Sequence, residues 1–166
     1  MTQVKGQVFE GSLNKVMKTR EFIKGNIFII PNSACTKNDF LLDSYKGKAQ
    51  ELLLANGIQN DDEKLIQIWF FTSGNDKESN WVDHTIDGYD ELKYWKPSIG
   101  YLPASLFAGK DDGDVVTVNL PIEKYDCDEN ITMHTTIKVQ LKLDQLNAPR
   151  YRNYGSFAEV LKRVTA

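Results

Sequence analysis

A chain of 166 residues with 41% apolar and 26% charged residues has the proportions of a folded globular protein, large enough for a core without metal or disulfide staples; a disordered or fibrous class is excluded. The net charge of −3 argues against a general nucleic-acid binder, which needs a positive surface. No apolar run reaches the ~18 residues of a membrane span, and "MTQVKGQVFEGSLNKVMK" holds no apolar leader, so the expectation is a cytoplasmic protein with no membrane partner.

In chain order, residues 13–24, "LNKVMKTREFIK", predict a helix capped by Ser12 and stopped by Gly25, or a strand ending at Phe22 and Ile23. "NIFIIP" (26–31) reads as a buried strand. A helix over 41–56 follows from the spacing of Leu41, Tyr45, Ala49, Leu52 and Leu53, with Asn56 and Gly57 as its left-handed stop. "KLIQIWFFT" (64–72) is apolar on both faces and predicts a central strand. Residues 73–101 look irregular, and a stretch of that length hides short elements or carries function.

Pro103 then opens a short helix that Gly109 ends, and "KDDGD" turns the chain into a strand at 114–120. From 131 to 143 apolar residues and Thr135 take the odd positions, and the even ones are polar, which predicts a long antiparallel strand with one wet face. Ser156 and Glu159 form a capping box before Phe157, Val160, Leu161 and Val164, the stripe of a terminal helix. With no repeat or linker, the expectation is one α+β domain spanning 1–166, a mostly antiparallel β-sheet packed on one face by two or three helices, including the C-terminal helix.

Chemistry-bearing residues are sparse. Cys35 and Cys127 lie far apart and form no C-x-x-C pair, so free thiols are expected and no metal or cofactor is. Cys35 precedes a predicted helix, a place where a thiol pKa can fall. Asp126, Asp128 and Asn130 match the start of a calcium loop, but Ile131 and Ile137 stand where its glycine and bidentate glutamate belong. His134 falls on the wet face of the long strand, and "APRYRNYG" (148–155) reads as a turn packing on the last helix. The acids of 111–130 and the bases of 1–24 read as two solvated faces of opposite sign.

The segment 81–95, "WVDHTIDGYDELKYW", is the richest. Asp83 beside His84 can orient and strengthen an imidazole base, and Trp81, Tyr89, Tyr94 and Trp95 are rings that either line pockets and interfaces or roof a core. The function expected first is therefore a small non-enzymatic ligand- or protein-binding module acting through 81–95, with acid-base chemistry at Asp83 and His84 as the alternative. A second enzymatic alternative comes from "YLPASLFAGKDDGDVVTVNLP" with "TIKVQLKL", which resembles the late portion of FKBP-type prolyl isomerase domains and the C-terminal domain of GreA transcript-cleavage factors. That likeness covers 99–143, is most specific at "GKDDGDVV", and implies a prolyl-isomerase-like activity.

Overall fold

Six strands form one sheet in the order β3-β5-β6-β1-β2-β4 in the computed structural model, which describes residues 23–72, 95–148 and 152–166. The strands are β1 (Ile23–Cys35), β2 (Leu65–Thr72), β3 (Lys96–Pro97), β4 (Tyr101–Pro103), β5 (Val115–Asp126) and β6 (Ile131–Leu143). Two α-helices join them, α1 (Asp43–Ala55) and α2 (Phe157–Thr165). All neighbouring pairs are antiparallel except β1 and β6, which run parallel from Ile23 opposite Val139 to Ile27 opposite Leu143. The long strand at 131–143 is thus antiparallel on its β5 side alone. The predicted helix over 13–24 lies almost wholly outside the described residues, and Ile23 and Lys24 belong to β1.

The outermost strands of this sheet, β3 and β4, are separated in sequence only by Ser98, Ile99 and Gly100. Laid flat, the sheet would hold them five spacings of ~4.8 Å apart, about 24 Å. Four residues of chain reach at most ~14 Å. The sheet must therefore roll until one segment, 96–103, pairs with β5 through its first half and with β2 through its second. Backbone bonds stitch the joint on both sides: Ser98 N donates to Pro121 O (3.0 Å) and Ile68 N to Gly100 O (2.9 Å).

Rolling gives the sheet an inside. Alternation along β5 and β6 points Val116, Val118, Leu120, Ile122, Met133, Ile137, Val139 and Leu141 into it, where they meet Ile27 and Ile29 of β1 and Ile66 and Ile68 of β2 in one buried cluster. Ala49, Leu52 and Leu53 of α1 join that cluster, as do Phe157 and Val160 of α2. The capping box of α2 is present as the sequence predicts. The left-handed stop of α1 is too, with Gly57 at φ 71° and Ile58 N donating back to Leu53 O.

α1 departs from its predicted stripe at the N-terminal end. It begins at Asp43, leaving Leu41 outside the helix and 97% exposed, and Tyr45 is 44% exposed. Only its second half meets the core. The helix lies along β5, where Lys48 reaches Glu123 and the Asn56 amide clasps Asn119, Nδ2 donating to its carbonyl and Oδ1 accepting from its N–H. The first half stands clear of the core.

The "GKDDGD" turn has a local duty. Asp111 Oδ1 accepts from Ala158 N (3.0 Å) and Asp112 Oδ2 from Phe157 N (3.3 Å), so both carboxylates sit at the N-terminus of α2, where orphan N–H groups and the helix dipole favour them. Asp112 Oδ1 also holds the backbone N–H of Gln145, and Gly113 N donates to Leu143 O. Residues 104–107 make a single 3-10 turn instead of a longer helix, and Glu63 Oε2 accepts from Ser105 N within it. Of the segment 148–155, residues 149–151 lie outside the described ones; the 3-10 turn at 152–154 is tied to α2 by Arg163, which donates to Tyr154 O at 2.6 Å.

Candidate functional site

Where the first half of α1 lifts away from the rolled sheet, a cleft of about 520 Å³ opens over the 98–100 joint. Four stretches of chain build it: Phe40, Tyr45 and Lys48 from the run into α1, Gln67 from β2, Lys96 to Tyr101 through the joint, and Glu123 from β5.

One wall is aromatic. Phe40 and Tyr101 pack edge to face with centroids 5.2 Å apart, a favoured quadrupolar arrangement, and Phe40 lies 6.1 Å from Tyr45. Burial, followed by the neighbouring Cys35, pushes the Tyr101 phenol up, so it stays a neutral donor at physiological pH. Charge lies beside it. Lys48 Nζ stands 3.3 Å from Glu123 Oε1 and 5.5 Å from the centroid of the Tyr45 ring, which puts an ammonium group next to the aromatic wall.

Strand register sets the charged row. Lys96 on β3 is directly opposite Glu123 on β5, and Glu123 is directly opposite His134 on β6, so the three share the outer face of the sheet. His134 is not the solvent-facing residue its polar position predicts: it is half-buried, and its Nδ1 is sealed without a hydrogen-bond partner among the described residues. Among those residues Ser98 Oγ and Glu123 Oε1 are likewise sealed without a hydrogen bond, the latter meeting Lys48 as an ion pair.

Comparison with protein families, with curated proteins and with solved structures yields no match.

Of the residues singled out in 81–95, Trp81, Asp83, His84, Tyr89 and Tyr94 lie outside the described residues. Trp95 is 1% exposed and belongs to the core cluster, and the next residue, Lys96, lines the cleft. Cys35 is not primed as a nucleophile, because burial and then the Asp39 carboxylate push its thiol up, with Lys64 offsetting part of this. The Asp126 carboxylate is engaged inside its own turn, where Oδ1 accepts from Asp128 N (3.0 Å) and Glu129 N (3.4 Å). No group of metal-ligating side chains occurs among the described residues, and no helix among them is long and apolar enough to cross a membrane.

Proposed function

We propose that this chain is a small, non-enzymatic binding module that takes its ligand in the cleft between α1 and the 98–100 joint. The observation that carries this reading is the cleft's construction, an aromatic wall of Phe40, Tyr45 and Tyr101 beside the Lys48–Glu123 ion pair. Its volume of about 520 Å³ lies in the ordinary range for small-molecule sites, which runs from roughly 300 to 1,000 Å³. Tyr45 sits on an α-helix and Tyr101 on a strand hydrogen-bonded to its neighbour, a rigid frame that loses little freedom when a ligand arrives. The aromatic and acidic segment 81–95 belongs to the same proposal on its residue chemistry, and the residue that follows it, Lys96, lines the cleft.

A fragment screen read by amide chemical shifts tests it. Binders are expected to shift Lys48, Gly100 and Tyr101 together. Hits that leave those three unmoved, or a screen of several hundred diverse fragments with none, would refute the assignment.

A further inference from the structure

The cleft's charge balance narrows the ligand class, an inference that rests on the binding reading above. Two ammonium groups, Lys48 and Lys96, face one carboxylate, Glu123. Lys48 is committed to Glu123 at 3.3 Å, whereas Lys96 is exposed and has no ion pair among the described residues. Among its described lining residues the cleft thus holds one positive charge in excess, at Lys96.

We infer that this cleft binds a planar aromatic anion, its ring system against Phe40 and Tyr101 and its charged group toward Lys96. A cationic ring would bring a third positive charge beside Lys48 and Lys96. A neutral ring would gain the stacking and leave the excess charge unanswered. The volume of about 520 Å³ accommodates one or two fused rings with a carboxylate or phosphate appended.

Matched probes separate this from the simpler binding reading. The affinities of 2-naphthoate, 2-naphthyl phosphate, 2-naphthamide and 2-naphthylmethylamine are measured by calorimetry on the full chain at low salt. At least one of the two anions is expected to bind about ten-fold tighter than the amide, a difference of about 1.4 kcal/mol, and the amine weakest. Which anion binds better identifies the headgroup. Lys96→Gln is expected to weaken the anions about five-fold and leave the amide unchanged, and Glu123→Gln to tighten the anions about three-fold by removing the opposing charge. High salt should shrink the gap between anion and amide, since the rim is open to solvent.

Equal affinities for anion and amide, or a preference for the amine, would overturn the charge inference and leave the cleft as a binding site. If none of the four binds, or if replacing the wall leaves binding intact, the binding reading itself fails. The wall variant is Tyr101→Leu, which keeps apolar bulk without a ring. Should it melt early, Tyr45→Leu, at an exposed helix position, takes its place.

Discussion

The side chain of Gln145 occupies the place of a missing strand beside Ile29: its Oε1 accepts from Ile29 N at 2.9 Å and its Nε2 donates to Ile29 O at 3.1 Å. β6 stops pairing with β1 at Leu143 opposite Ile27, two residues short of Ile29 on the β1 side. One primary amide has the donor and the acceptor of a peptide group, so it continues the parallel ladder for one more rung. Asp112 fixes it in place by accepting from the Gln145 backbone N–H.

Gln145 is fully buried, so removing its amide leaves a buried N–H and a buried C=O without partners. Gln145→Ala is expected to destabilise the fold by about 2–4 kcal/mol, taking each orphaned group at roughly 1–3 kcal/mol with partial relaxation. Gln145→Glu keeps the acceptor and loses the donor, and at neutral pH places a carboxylate against the Ile29 carbonyl. It should be no more stable than the alanine variant. Urea midpoints at constant m-value check both, and a loss under 1 kcal/mol for Gln145→Ala would show that water restores the rung.

The same device closes a second gap. Asn119 of β5 turns its backbone N–H and C=O away from β6, and the Asn56 amide takes both, at 3.0 and 2.8 Å. Asn119 returns a bond from its own side chain to Ala55 O at 3.0 Å. Asn56→Ala is expected to destabilise by about 1–3 kcal/mol, since the site is half-buried and water can reach part of it. Faster amide exchange at Asn119 than at neighbouring β5 positions should accompany the loss. Unchanged protection at Asn119 would mean the edge is held by something other than the clasp.

Much of the frame is legible in the sequence for a physical reason. Along 131–143 the buried and wet faces differ in chemistry at every step, and at 156–159 the capping box is a local motif, so each element announces itself within a dozen residues. The parallel pairing of β1 with β6 is invisible because it joins Ile23 to Val139, and no periodicity encodes a partner that distant. Gln145 and Asn56 leave no trace either, since an amide standing in for a strand has no repeat. The cleft is hidden for a third reason. Its wall and rim come from Phe40, α1, Tyr101, Lys96 and Glu123, brought together only when the sheet rolls. The nearest signal is Leu41, which the spacing assigns to a buried stripe and which stands exposed ahead of the helix start.

Two neighbouring aspartates respond to acid in opposite senses. Hydrogen bonds from the Ala158 and Asp112 backbones hold the Asp111 carboxyl below its ordinary value, whereas burial pushes Asp112 up despite the bonds it accepts from Gln145 and Phe157. Asp111 therefore contributes stability that is present above the unfolded aspartate pKa of about 3.9 and is lost as pH falls through its depressed folded value. For Asp112 the folded state takes up the proton first. Its contribution is fully present below about pH 3.9 and is lost as pH rises through its raised folded value. Against wild type, Asp111→Asn is expected to be less stable at pH 7, by about 1 kcal/mol or less at so exposed a cap, with the gap closing below about pH 4. The gap to Asp112→Asn should instead widen on acidification. Urea midpoints from pH 3 to 7 read both slopes, and parallel slopes would contradict the assignment.

The two thiols should separate by rate. Cys127 is exposed in the β5–β6 turn, whereas Cys35 is half-buried with its thiol pushed up by burial and Asp39. Alkylation proceeds through the thiolate, so the Cys35 rate is reduced twice, by access and by the small ionised fraction at neutral pH. Iodoacetamide at pH 7.5 is expected to modify Cys127 first and Cys35 more slowly, since a raised thiol pKa and restricted access act in the same direction. Peptide mass mapping over time distinguishes the sites, and Cys127→Ser should leave only the slow phase. Raising the pH to 9 should speed Cys35. A Cys35 that reacts as fast as Cys127 at pH 7.5 would show that the residue is activated after all, and would reopen the case for thiol chemistry in a chain proposed here to bind without catalysing.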